Sequence, residues 1–114
     1  MKIIRFLSED QREFYGVFDP KMPDISRIIE GNIFDDIRVT GKREKVKEVL
    51  SPIVPVNILC LGLNYGEHAE ETNVTAPESP VLFLKGTNSI VGPGSPIVLP
   101  GVAPHEVDYE AELA

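Results

Sequence analysis

The sequence predicts a small α+β unit over residues 1–52, followed by the opening of a mostly β domain over residues 53–114. Three observations point there. Eight of the ten prolines lie after residue 50. The charge changes at the same place: residues 1–50 hold ten basic and ten acidic side chains, whereas residues 51–114 hold eight acidic groups and one base, Lys85. The hydrophobic pattern changes as well, from mixed periods to short apolar runs bounded by Gly and Pro.

Taken in order, "MKIIRFL" and "FYGVFD" are β-prone runs split by the polar "SEDQRE", the pattern of a hairpin. In "DISRIIEGNIFDDI", Ile25, Ile28 and Ile29 stand at helical spacing with Gly31 as the stop. "KREKVKEVL" predicts one or two further helical turns, and the basic cluster "GKREKVKE" reads as a solvated helix face because glutamates interrupt it. "SPIVPVN" (51–57) reads as a linker. Beyond it, "VNILCLGL", "PVLFLK" and "PIVLP" predict short buried strands, with Cys60 as a buried thiol in the first of them.

Composition excludes several functions. The chain is 42% hydrophobic and 25% charged, which is globular rather than disordered. No apolar run approaches the roughly 20 residues that span a bilayer. The N-terminus does not read as a signal peptide, so the expectation is a cytoplasmic protein. One cysteine permits neither an internal disulfide nor a cysteine metal site. The net charge of −7 falls wholly in the second part, which repels nucleic acid and anionic lipid and suits a cation.

Chemistry concentrates in that acidic part. A short helix is expected from about Tyr65, and its three-residue spacing puts His68 and Glu71 on one face. A carboxylate beside an imidazole fixes its tautomer and raises its basicity, as a general base requires. The same spacing also suits a plain surface pair. Lys85 closes "PVLFLK", where it serves either as a snorkelling strand end or as a grip on a substrate carboxylate or enolate oxygen. "VGPGSP" lacks the spacing of a phosphate loop and reads as a turn.

In "VDYEAELA", Asp108, Glu110 and Glu112 alternate, so a strand would aim all three one way. On a regular strand Glu110 and Glu112 would have Cα atoms ~6.6 Å apart, close enough to lean toward one hard cation such as Mg²⁺. Asp108 would lie ~13 Å from Glu112, which leaves it an outer-shell or hydrogen-bonding role. A solvated acidic strand is the simpler alternative.

The ordered set "GLNYGEHAEE", "PVLFLK", "GPGSPIVLP" and "VDYEAELA" resembles the fumarylacetoacetate hydrolase family, over about residues 58–114. The first fifty residues resemble the small N-terminal domain of bacterial and archaeal members, often described as 2-hydroxyhepta-2,4-diene-1,7-dioate isomerases. The resemblance implies a mixed, rolled sheet in a usually dimeric enzyme of aromatic compound catabolism. It implies Mg²⁺ (or Mn²⁺ or Ca²⁺) on Glu110 and Glu112, a His68–Glu71 dyad on a lid helix, and Phe83 and Lys85 at a strand end, with Lys85 binding substrate. The implied substrates are 2-oxo or 1,3-dicarbonyl acids, and the implied reactions are C–C hydrolysis, enol–keto isomerisation or decarboxylation through a metal-bound enolate. The family's third metal ligand, an aspartate further along, has no counterpart. The expectation is therefore the N-terminal portion of a longer enzyme. Two other readings compete: a non-catalytic interaction module with an incomplete metal site, and an acidic cation-binding β protein without catalysis.

Overall fold

In the computed structural model, which describes residues 1–66, 77–110 and 112–114, the described residues form seven strands and one 3-10 turn. The expected hairpin is present: β1 (Ile3–Leu7) pairs antiparallel with β2 (Glu13–Val17), with Phe6 opposite Phe14. Its turn is held by Ser8. The Ser8 N–H donates to Arg12 O at 2.9 Å, and its hydroxyl oxygen accepts the Arg12 N–H at 3.1 Å.

The next two segments differ from expectation. Residues Ile25–Gly31 form β3, and Ile37–Lys45 form β4, so the N-terminal unit is a β-sheet and not α+β. Isoleucine is stiff at χ1 and packs well on a pleated surface. The three isoleucines read as a helical stripe also satisfy a strand, on which Ile25 and Ile29 share one face and Ile28 takes the other. Ile28 and Ile29 are both buried, so both faces are covered at this point. Gly31 is indeed a stop, but of a strand, with φ at 102°. A side chain is rarely tolerated there, and a Cβ would lie 2.1 Å from Asp36 O.

The "KREKVKEVL" stretch is likewise extended. It completes β4 and, after Val46 and Lys47, forms the two-residue β5 (Glu48–Val49). Its charges are exposed as expected, but on a strand rather than a helix. Ion pairs to the β1–β2 turn replace helical ones: Arg12 with Glu44 at 3.3 Å and Lys45 with Glu9 at 3.2 Å.

The sheet order is β4-β3-β2-β1-β5. Its two outermost strands are therefore joined by only two residues. A flat sheet cannot meet that condition, since neighbouring strands are about 4.8 Å apart. The sheet must roll until its edges approach, in the manner of a small barrel. Backbone bonds at the seam agree: Val46 N–H donates to Asp24 O at 2.9 Å, and Lys47 N–H to Leu7 O at 2.9 Å. Phe6 is fully buried, Ser26 is nearly so, and Gly16 lies against both. A Cβ on Gly16 would stand 2.1 Å from Ser26 Oγ and 2.9 Å from the Phe6 ring.

Residues 51–57 contain no regular element, as expected of a linker. Its start is fixed to the sheet, because Arg5 donates to Ser51 O at 3.2 Å while also pairing with Glu13 at 2.7 Å. Two expected strands follow, β6 (Ile58–Gly62) and β7 (Val81–Lys85), paired antiparallel with Cys60 opposite Phe83. They are not buried. Every residue of β7 is exposed, Leu59 and Leu84 are 70% and 69% exposed, and Cys60 is only half-buried. A two-stranded ribbon has no layer to cover it unless another element packs on it. The expected "PIVLP" strand is irregular. Pro96 and Pro100 lack ladder donors, and nothing among the described residues pairs with this segment.

Candidate active site

Lys85 closes β7 opposite Ile58, and its ammonium lies 5.6 Å from the Phe83 ring centroid. The residues named for the F-x-K strand end are thus adjacent, with the charge held over the ring face. Lys85 is exposed and makes no ion pair with any described residue; the described ion pairs all lie within residues 5–45.

The acidic segment departs from its expected conformation. Residues 107–110 and 112–114 are not in a strand, because no described segment supplies ladder partners. The regular spacing inferred for Glu110 and Glu112 therefore has no strand behind it. Both glutamates are exposed. Asp108 is engaged locally: its carboxylate oxygen accepts the Tyr109 N–H at 2.9 Å.

His68 and Glu71, and the helix expected to carry them, lie outside the described residues. The segment leading to them does make one long-range contact. Tyr65 Oη accepts a hydrogen bond from the Leu113 N–H at 3.4 Å, long but between residues 48 apart in sequence. Sequence reasoning had singled out Tyr65 only as a helix start. Its position three residues before His68 was the one available signal.

The carboxylates fit a hard divalent cation in kind, since Mg²⁺ and Mn²⁺ prefer oxygen donors. They fall short in number. Among the described residues no group of three or more His, Cys, Asp or Glu side chains converges on a point. Glu110 and Glu112 would thus supply part of a coordination sphere that water and substrate can share. No helix among the described residues is long and apolar enough to cross a membrane.

Residues 57–114, just over half of the chain, match the family described as fumarylacetoacetate (FAA) hydrolase C-terminal. The chain belongs to the fumarylacetoacetate hydrolase family. Residues 1–51 match a second description, Rv2993c-like, N-terminal. Among curated relatives, the mitochondrial oxaloacetate tautomerase fahd2 of Xenopus laevis is 49% identical over 67 residues, covering 58% of this chain and 21% of that protein. Among solved structures, the 5-carboxymethyl-2-hydroxymuconate delta-isomerase of Mycobacterium smegmatis superposes with a TM-score of 0.66 at 30% identity, over 87% of this chain and 38% of that one. The 2-hydroxyhepta-2,4-diene-1,7-dioate isomerase of Mycobacterium marinum gives 0.61 at 28% identity, over 87% and 37%. These relatives carry the names of enzymes, and the chain spans well under half the length of each. Membership agrees with the resemblance carried by the four ordered motifs.

Proposed function

We propose that this chain supplies the metal-binding carboxylates and the acid–base pair of a family enzyme that interconverts enol and keto forms of 2-oxo or 1,3-dicarbonyl acids. Glu110 and Glu112 hold Mg²⁺ or Mn²⁺. When bound, the cation supplies Lewis acidity toward the substrate's carboxylate and neighbouring oxygen. Glu71 orients the His68 imidazole and raises its basicity, and His68 moves the proton at the carbon beside the oxo group. Lys85 offers a positive charge to a second substrate carboxylate. The apolar surfaces left open on β6 and β7 support an association of two copies.

The observation that carries this reading is the contact between Tyr65 and Leu113. It draws the chain entering the His68 segment toward the residue that follows Glu112, which the proposed division of labour requires. Support for isomerisation over bond cleavage comes from the relatives, whose names describe a tautomerase and two isomerases. Tautomerases and isomerases of this kind relocate a proton and a double bond without losing a carbon.

The test follows oxaloacetate enol-to-keto conversion by ultraviolet absorbance, using the protein that carries this chain, with Mg²⁺ present or chelated. Pyruvate release and acylpyruvate cleavage are followed in parallel. Metal-dependent tautomerisation faster than either other reaction is expected. Cleavage or decarboxylation with tautomerisation at background would overturn the assignment.

A further inference from the structure

The chain has five arginines. Arg5, Arg12 and Arg38 each pair with a carboxylate. Arg27 and Arg43 have no such partner among the described residues, yet they stand directly opposite each other in the β3–β4 ladder. Directly opposed residues bring their Cβ atoms to about 4.5–5.5 Å, and like charges there destabilise the pair. Nothing in the fold requires arginine at either place, since both side chains are exposed.

Two further features sit at the same spot. The register shifts between Arg27 and Ile29, where Ile28 alone on β3 faces Thr40, Gly41 and Lys42 on β4. Irregularities of this kind re-aim side chains and are frequent beside binding sites. The irregular backbone is secured, since Thr40 Oγ1 donates to Ile28 O at 3.0 Å. Both arginines also line an open cavity of about 180 Å³, together with Val17, Asp19, Met22 and Ile25. Asp19 is partly committed, because its carboxylate accepts the Lys21 N–H at 2.9 Å.

We propose that this cavity binds a small monocarboxylate with a short apolar arm. Guanidinium forks match a carboxylate in shape and charge, and two of them facing one cavity offset their mutual repulsion by sharing an anion. Val17, Met22 and Ile25 provide the apolar wall for the arm. Asp19 sets the charge: two arginines and one aspartate accommodate one negative charge better than two, which disfavours a phosphate dianion. At about 180 Å³ and open to solvent, the cavity suits a short-chain acid rather than a large ligand.

The experiment titrates the 114-residue chain with butyrate and, separately, with inorganic phosphate, following the Arg27 and Arg43 side-chain N–H signals and the β3–β4 amides by NMR. Saturable shifts at millimolar butyrate are expected, with weaker binding of phosphate. Arg27→Lys and Arg43→Lys keep the charge and the exposed strand position but lose the fork, and each should weaken butyrate binding roughly tenfold or more. Asp19→Asn should strengthen phosphate binding relative to butyrate. Absence of saturable shifts, phosphate bound as tightly as butyrate, or unchanged affinity in both lysine variants would overturn the proposal.

Discussion

Tyr65 and Leu113 meet through a hydrogen bond from the Leu113 N–H to the tyrosine hydroxyl, joining two motif segments far apart in sequence. On one side of the contact the chain enters the His68–Glu71 segment, and on the other it has just passed Glu110 and Glu112. The proposed division of labour assigns proton transfer to the first pair and cation binding to the second.

That division predicts separable losses. His68→Ala or Glu71→Ala should lower tautomerase turnover by roughly 10²–10⁴, the usual contribution of a positioned general base. Cation affinity, read by calorimetry, should stay within experimental error of the parent, because neither residue is a proposed ligand. Wild-type turnover in both variants would remove the dyad from the account.

A second prediction concerns the rolled sheet. Gly16→Ala introduces a Cβ that would stand 2.1 Å from Ser26 Oγ and 3.0 Å from Arg27 O, in a core where Phe6 is fully buried. Ser26 has little freedom to yield, because its hydroxyl donates to Val17 O at 3.0 Å. Overpacking of this kind costs about 1–3 kcal/mol. Urea unfolding followed by circular dichroism should show a lower midpoint than the parent. An unchanged midpoint would mean that the sheet is less tightly rolled than its strand order requires.

Acid should weaken the β3–β4 edge. The carboxyl of Glu30 sits below its ordinary value of 4.5 because Lys42 and Arg38 both hydrogen-bond it. A depressed carboxylate stabilises the fold above its unfolded value, and that contribution is lost as pH falls through the folded value. Glu30→Gln should therefore lower the thermal midpoint at pH 7, and the gap from the parent should close as pH falls below 4.5. The group is exposed, so added salt should narrow the gap too. A gap that widened in acid would contradict the pairing.

Much of this architecture was legible in the sequence, and the failures share a cause. The β1–β2 hairpin, the linker, β6 and β7 were read from local patterns that fit one period only. Ile25, Ile28 and Ile29 fit two periods, as does the alternation of lysine and glutamate after Gly41. Local spacing cannot choose between a helix that pairs its charges every fourth residue and a strand that pairs them across to Glu9 and Arg12. The choice is made by closure of the sheet, which brings β5 beside β1 across some forty residues. The opposite error occurred at "PIVLP", where an apolar run promised a strand, and at "VDYEAELA", where alternation did; no described segment supplies the ladder for either. At the site, the ordered motifs were enough to reach the family. Tyr65 was legible only as a helix start, because its hydrogen-bond partner lies 48 residues away and no local spacing links the two.

Paramagnetic broadening would show whether Glu110 and Glu112 are the cation-binding pair. Mn²⁺ added in small amounts to the 114-residue chain should broaden the amide signals of residues 109–113 first, then that of Tyr65, while β1–β5 stay sharp. Glu110→Gln should abolish the localised effect. Asp108→Asn should leave it nearly intact, because Asp108 is not one of the proposed ligands. Broadening centred instead on the acidic groups of the N-terminal sheet, such as Asp35 and Asp36, or surviving Glu110→Gln, would contradict the account.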